Sequence, residues 1–466
     1  MMKKSGFLAL FLLLVGLTYS QTGWRKGEME IKIHLNSQKE ADLLHTLNLN
    51  AETASPDGSI IEAYVVPDEL TRVQQAGLHY QIIIPDLIEH SAHFWDALVP
   101  SGYMTYQQIV DLADSLATNY PSICKKVIFG TSVGGRELGA LKISDNVNTD
   151  EPEAEILFDA GIHGDEIMSP EIVIRYARYL CLGYGTDSVY TSLVNNHEIW
   201  LYYMVNPDGR VNMSRYNNHG VDCNRDAGYM WNAEGNSISA FSQVESRALR
   251  DCMLQSNAAV YTNYHGGTEI ISYPWSYRPS AATDYPQMDQ LASVYSNYSG
   301  YTSLPYGQGF NIMYAINGSN KDFQYGSMGN IGWSIEITND KEPASSLISP
   351  YYNKNEPAIT EVIKRCGYGV EGIVTDSITG EPLSATIWVN NFFPVVTKPG
   401  VGDYHKYILP GTYTIKVVAN GYSTKVISNV VVPSTGSVTT NFQLARQTGR
   451  FAHQVMSSRI PITDFS

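Results

Sequence analysis

With 466 residues, 43% hydrophobic and 17% charged, the chain holds apolar material for more than one core, since a single domain takes roughly 100 to 200 residues. Its 31 basic against 46 acidic residues leave a net charge of -15, which repels phosphate backbones and anionic lipid surfaces and excludes nucleic acid as the expected partner. Five scattered cysteines (Cys124, Cys181, Cys223, Cys252, Cys366), an odd number with no CxxC pair, exclude both a disulfide framework and a cysteine zinc site.

Residues 1–20 carry Lys3 and Lys4, then an apolar run from Phe7 to Leu17, then small or polar residues ending at Ser20. These are the three zones of a secretory signal, so a secreted or periplasmic product starting near Gln21 is expected. The run is about eleven residues, well short of the roughly 20 that span a bilayer, and no later stretch is long enough, so no transmembrane segment is expected.

Residues 24–86 read as a small α/β unit. Strands are expected at Met29 to Leu35, Ser59 to Val66 and Tyr80 to Ile84, with helices at Ser37 to Leu47 and Glu69 to Ala76. His90 to Ser101, with Pro100 near its end, reads as a linker. From about residue 103 to Arg365, helical stretches such as Tyr106 to Asn119 alternate with apolar runs: Cys124 to Thr131, Leu138 to Ser144, Ile156 to Ile162, Glu198 to Val205, Ala258 to Tyr264 and Gly332 to Thr338. The expected fold class is α/β, a central mixed, mostly parallel sheet flanked by helices, with its active site beyond the carboxyl ends of strands. Residues 367–445 change texture to short strands divided by Gly, Pro and Asn turns (Val370 to Thr375, Ala385 to Val389, Gly411 to Ala419, Ser437 to Leu444), which predicts a small β-sandwich. The tail, 446–466, has no pattern.

The sharpest chemical signal is His163-Gly-Asp-Glu166, at the end of one apolar strand and just before a helical run near Ser169. A His and a Glu three apart at a strand-to-helix bend can point at one metal, although surface pairs at this spacing are commonly only solvated. His265 closes a second apolar strand and is followed by Gly266-Gly267. Two imidazoles and a carboxylate leave a fourth zinc position open, the arrangement of a catalytic rather than a structural site, and zinc lowers the pKa of water from about 15.7 toward about 7. Glu336 sits inside the apolar run Gly332 to Thr338, where an isolated carboxylate is costly unless paired or functional.

Together these segments resemble the zinc carboxypeptidases of the carboxypeptidase A and carboxypeptidase D superfamily. The matching stretches are Tyr106 to Tyr120, Gly130 to Leu138, His163 to Glu166, Asn206-Pro-Asp-Gly209, Arg215 to Arg225, His265-Gly-Gly and Tyr314 to Glu336. The resemblance implies one zinc ion per chain on His163, Glu166 and His265, and Asp222 holding a zinc-bound histidine by hydrogen bond. It implies that Asn224 and Arg225 grip the substrate's terminal carboxylate, Arg215 polarises the scissile carbonyl, Tyr314 closes over the substrate and Glu336 is the general base. The implied reaction is release of C-terminal residues from peptides or proteins by zinc-activated water. The flanking regions resemble the family's companions, a shielding pro-segment before the catalytic part and a transthyretin-like β-sandwich after it. No Lys or Arg lies between Asp86 and Met104, so trypsin-like processing there is not expected.

Asp165 departs from the polar or basic residue often seen inside the family's HxxE segment. The resemblance places Lys321 at the base of the side-chain pocket, and Ser276 where relatives specific for basic termini carry an acid. A cation there implies preference for acidic C-terminal residues. Two rival readings share the same residues: a hydrolase of peptidoglycan peptides or amino-acid amides on the same zinc site, and an inactive binding or adhesion homologue. Intact Asn224, Arg225 and Tyr314 favour a free α-carboxylate over the first, and the full set of ligands and base argues against the second.

Overall fold

The computed structural model of the protein describes residues 25–55, 57–95 and 102–447. The expected signal (1–20), the end of the expected linker (96–101) and the tail from 448 lie outside the described residues.

In the N-terminal unit, β1 (Met29–His34), β2 (Asn50–Thr53), β3 (Ile60–Val65) and β4 (His79–Ile84) form one antiparallel sheet in the order β2-β3-β1-β4. Ile31 and Ile33 of β1 and Ala63 and Val65 of β3, each pair two apart along its strand, point to the same face and close a core with Leu44 and Val73 from the helices Gln38–Thr46 and Pro67–Gln75. β2 was not expected from its sequence: Asn-Ala-Glu-Thr has little strand propensity, and pairing with β3 supplies what the residues lack.

The expected linker is a correction. Leu87–Phe94 is a helix, started by Asp86, whose side chain accepts from the Ile88 and Glu89 amides. Phe94 and Trp95 pack against the core of the following domain, and the Arg210 guanidinium lies 5.2 Å from the Trp95 ring centre. Polar spacing near Pro100 reads as a break, but the apolar residues at 87, 94 and 95 find a tertiary partner that no local pattern reveals.

The central sheet has eight strands: β5 (Cys124–Thr131), β6 (Glu137–Ile143), β7 (Ala154–Ala160), β8 (His197–Tyr202), β9 (Val260–His265), β10 (Thr268–Tyr273), β11 (Tyr306–Gln308) and β12 (Ile331–Thr338). Their order is β11-β10-β12-β9-β7-β8-β6-β5, with the inner run β12-β9-β7-β8 parallel. Every residue of those four strands is buried, because helices cover both faces, and this is why they read as continuous apolar runs rather than alternating ones. Helices Met168–Gly183, Tyr285–Tyr298 and Ile348–Cys366 seal one face and Val244–Ser256 the other. Because β12, β9 and β7 are adjacent and parallel, their carboxyl ends open side by side.

After Cys366 two four-stranded sheets pack around Val370, Val374, Ile387, Ile415, Val417 and Phe442. The expected single strand Ser437 to Leu444 divides into Ser437–Thr439 and Phe442–Leu444. Lys398 fastens this part to the central domain: its buried ammonium meets Glu155, Asp150 at 3.0 Å and Glu198 at 3.2 Å, with Lys142 also on Glu198 at 2.8 Å. Removing one partner of such a cluster leaves buried charges uncompensated. Lys398→Ala is therefore expected to cost about 3–5 kcal/mol, measurable as a lower denaturant midpoint; a midpoint equal to wild type would show that the cluster does not hold the domains together. Among the described residues no helix is long and apolar enough to cross a membrane.

Candidate metal centre and substrate pocket

His163 follows β7 by three residues, Glu166 lies just before the helix Met168–Gly183, and His265 is the last residue of β9. The turn between His163 and Glu166 demands a glycine: a Cβ at position 164 would stand 1.9 Å from the Gly209 carbonyl carbon and 2.2 Å from the Arg210 nitrogen. The Asn206-Pro-Asp-Gly209 stretch is thus the surface against which the His163 to Glu166 turn is pressed.

His163 Nδ1 lies 2.5 Å from Glu166 Oε1, His265 Nδ1 lies 2.9 Å from Glu166 Oε2, and the two Nδ1 atoms are 3.2 Å apart. Two imidazole nitrogens and a carboxylate facing one another at such range can share one cation, and this donor set fits zinc with one position left open. Two other groups of three acidic residues come together among the described residues, but neither competes. Asp150, Glu155 and Glu198 are already met by Lys142 and Lys398, and of Asp145, Glu151 and Glu153 the first is exposed and the others only half-buried.

The remaining expected residues surround this centre. Asp222 Oδ1 is 3.3 Å from His163 Nε2, and its Oδ2 accepts from Arg215 Nε at 3.1 Å and Nη2 at 2.9 Å. Burial would raise the Asp222 carboxyl, but Arg215, Arg225 and His163 beside it hold it well below the usual carboxylate range. Arg215 Nη1 reaches within 3.1 Å of His163 Nδ1, so its charge sits beside the three converging donors. Asn224 Oδ1 accepts from the Asn320 amide at 3.1 Å, and Arg225 Nη1 donates to the Asn224 carbonyl at 3.0 Å.

Glu336 lies opposite His265 in the parallel register of β12 and β9, buried, with its Oε2 lacking a hydrogen-bond partner. Burial, reinforced by the charge of Glu166, pushes Glu336 well above the ordinary range, the property of a carboxylate that takes up a proton. Tyr314 and Lys321 line the same cavity of about 480 Å³. The Lys321 ammonium donates to Ser272 Oγ at 2.6 Å, and among the described residues no carboxylate comes within 4.0 Å of it. Burial lowers Lys321 to about 8 against the opposing pull of Asp322 and Glu336. Ser276, whose buried hydroxyl has no partner, sits next to it: a Cβ on Gly309 would touch both Ser276 Oγ (2.5 Å) and Lys321 Nζ (3.4 Å).

Several residues in or around the centre had no sequence signal. From the N-terminal unit, Glu52 Oε2 reaches Arg215 Nη1 at 2.6 Å and Oε1 reaches Lys341 Nζ at 2.6 Å. Lys341 also meets Glu62 at 2.6 Å and Tyr64 Oη at 2.7 Å, while the Tyr64 hydroxyl donates to Asp165. Burial would raise Glu62, yet the Lys341 charge holds it down to about 2. Asp165, the unusual residue of the His163 to Glu166 turn, is thus the central domain's receptor for this unit. Glu52 is invisible in sequence because β2 itself is. Asn263, whose Oδ1 contacts His265 Nε2, carries a usable signal: two residues before His265 on a strand, it must share that residue's face.

The zinc carboxypeptidase family model (Peptidase_M14) matches residues 109–358, more than half of the chain. The chain belongs to this family, whose members are metallocarboxypeptidases that use zinc. It is 28% identical to carboxypeptidase D of Homo sapiens over 416 residues, a match covering 82% of this chain but only 30% of that protein. It is 26% identical to the carboxypeptidase N catalytic chain of Mus musculus, with 79% and 89% of the two chains covered. Among solved structures, carboxypeptidase A from Helicoverpa armigera aligns with a TM-score of 0.61 at 19% identity, covering 73% of this chain and 97% of that one. Thrombin activatable fibrinolysis inhibitor aligns with a TM-score of 0.59 at 17% identity, covering 73% and 98%. At these identities the structural likeness speaks to the carboxypeptidase-like α/β fold.

Proposed function

We propose that this chain is an exported zinc carboxypeptidase that removes C-terminal residues from peptides, with preference for acidic ones. The observation that carries the reading is the convergence of His163, Glu166 and His265 with Glu336, whose Oε2 is unpartnered, one strand away. Bound zinc supplies Lewis acidity and lowers the pKa of water. The chain's own residues do the rest. Arg225 and Asn224 hold the terminal carboxylate, Arg215 stabilises the charge that develops on the scissile carbonyl oxygen, and Tyr314 covers the substrate. Glu336 removes a proton from the attacking water and returns it to the leaving amine. Following a free-acid peptide by mass spectrometry should reveal stepwise loss of C-terminal residues; internal cleavage, or none by zinc-loaded protein, would overturn the reading.

The acidic preference is supported by Lys321, a buried ammonium with a hydroxyl but no carboxylate beside it. A substrate Glu or Asp side chain supplies the missing counter-charge. Lys321→Met is expected to lower kcat/KM on a peptide ending in Glu by about 10- to 100-fold while sparing one ending in Phe. An amine held at about 8 is charged below that pH and neutral above it, so the preference should fade above pH 8. Wild-type protein that favours peptides ending in Arg over those ending in Glu would refute it.

The N-terminal unit is proposed to shield the site as a pro-segment does. Glu52 occupies the Arg215 nitrogen that a substrate oxygen needs, and Glu30, Glu52, Ile83 and Ile84 line the same cavity as the metal ligands.

A further inference from the structure

We propose that Asn263, oriented by Asp159, is the positioning residue that fixes His265 for zinc, by accepting the Nε2 proton so that Nδ1 keeps its lone pair for the metal. The inference rests on the reading that His163, Glu166 and His265 hold that ion. Tyr261, Asn263 and His265 alternate along β9 and therefore share one face, and the strand register sets Asp159 of β7 opposite Asn263 on one side and Ser334 of β12 on the other.

Taken alone, an asparagine cannot specify a histidine tautomer, because its amide presents an acceptor on one side and a donor on the other and can be turned round. Asp159 removes that freedom. Its Oδ2 accepts from the Tyr261 hydroxyl and its Oδ1 faces the Asn263 amide. As a carboxylate it offers Asn263 only an acceptor, so the Asn263 nitrogen faces Asp159 and its oxygen faces His265. Ser334 Oγ donates to the same Asn263 oxygen at 3.3 Å. Asp159 and Asn263 are both fully buried, away from bulk water, where a hydrogen bond is strong.

The oxygen of Asn263 then calls for a proton on His265 Nε2, and a neutral imidazole protonated there has its lone pair on Nδ1. That is the atom 2.9 Å from Glu166 Oε2 and 3.2 Å from His163 Nδ1. Asn224 Nδ2 also approaches His265 Nε2, but at 3.3 Å, a longer contact than that of Asn263. His163 reaches the same state through a different device, the Asp222 carboxylate on its Nε2. One ligand is thus set by a carboxylate directly and the other by a carboxylate acting through an amide.

The test is zinc affinity, measured on the full chain by competition with a chelator, beside thermal melting of the metal-free proteins. Asn263→Leu and Asp159→Asn are each expected to weaken zinc binding about 10- to 100-fold. Asp159→Asn is the sharper variant, since it leaves Asn263 in place and only frees its amide to turn. Tyr261→Phe, which keeps the bond between Asp159 and Asn263, should bind zinc within about threefold of wild type. Zinc affinity unchanged in Asn263→Leu and Asp159→Asn would overturn the inference. Wild-type protein with no zinc affinity would instead overturn the metal reading on which it rests. Should the variants fail to fold, the His265 Nε2 proton of the zinc-loaded wild type can be followed by NMR. Slow exchange with solvent is expected, and exchange as fast as that of an exposed imidazole would contradict the inference.

Discussion

Glu336→Gln is expected to lower kcat/KM on a free-acid peptide by about 10²- to 10⁴-fold while zinc content stays at the wild-type level. The change keeps the shape of the side chain and removes the proton-accepting oxygen. Glu336 is held in β12 opposite His265, with an unpartnered oxygen inside the cavity and a carboxyl pushed upward by burial and by Glu166. None of the three metal donors is touched by the substitution, so loss of activity with zinc retained separates the base from the ligands. Steady-state kinetics with elemental analysis of the same preparation checks this. Activity within a few-fold of wild type would assign the base elsewhere.

Glu52→Ala is expected to raise kcat/KM of the full chain by about 10- to 100-fold. The carboxylate ties Arg215 and Lys341 at once, and both bonds are lost together. The unit should remain attached in the variant, because Tyr64 still donates to Asp165, Lys341 still pairs with Glu62, and the Leu87–Phe94 helix and Trp95 still pack on the central domain. Freed from Glu52, Arg215 can turn to a substrate oxygen. Initial rates on a short peptide, with gel filtration to confirm an intact chain, give the readout; a rate no higher than wild type would mean that the docked unit does not restrain the site.

The central sheet is legible in the sequence because its signals are local. β7, β9 and β12 are buried on both faces and so appear as unbroken apolar runs, and their polar residues stand out by contrast: His163 beyond one run, His265 at the end of another, Glu336 within a third. The spacing of Tyr314 and Glu336 and the stretch from Arg215 to Arg225 needed the resemblance, since neither has a strand or helix period to give it meaning. What escaped was long-range. Asn50–Thr53 becomes a strand only by pairing with β3, and with it Glu52 arrives at Arg215 from 163 positions away (215 - 52). Leu87–Phe94 becomes a helix whose end is packed by another domain, and Asp165 gains its role only from Tyr64 and Lys341, which converge on it from far along the chain. β10 and β11 carry no readable signal because short strands have too few residues to set a period.

All of these roles depend on two imidazoles and one carboxylate binding a single zinc ion. Elemental analysis of the purified full chain beside His265→Ala tests that directly. About one zinc per chain in the wild type, and its loss in the variant, is the predicted outcome. A wild-type protein without zinc, or a variant that keeps its full complement, would contradict it.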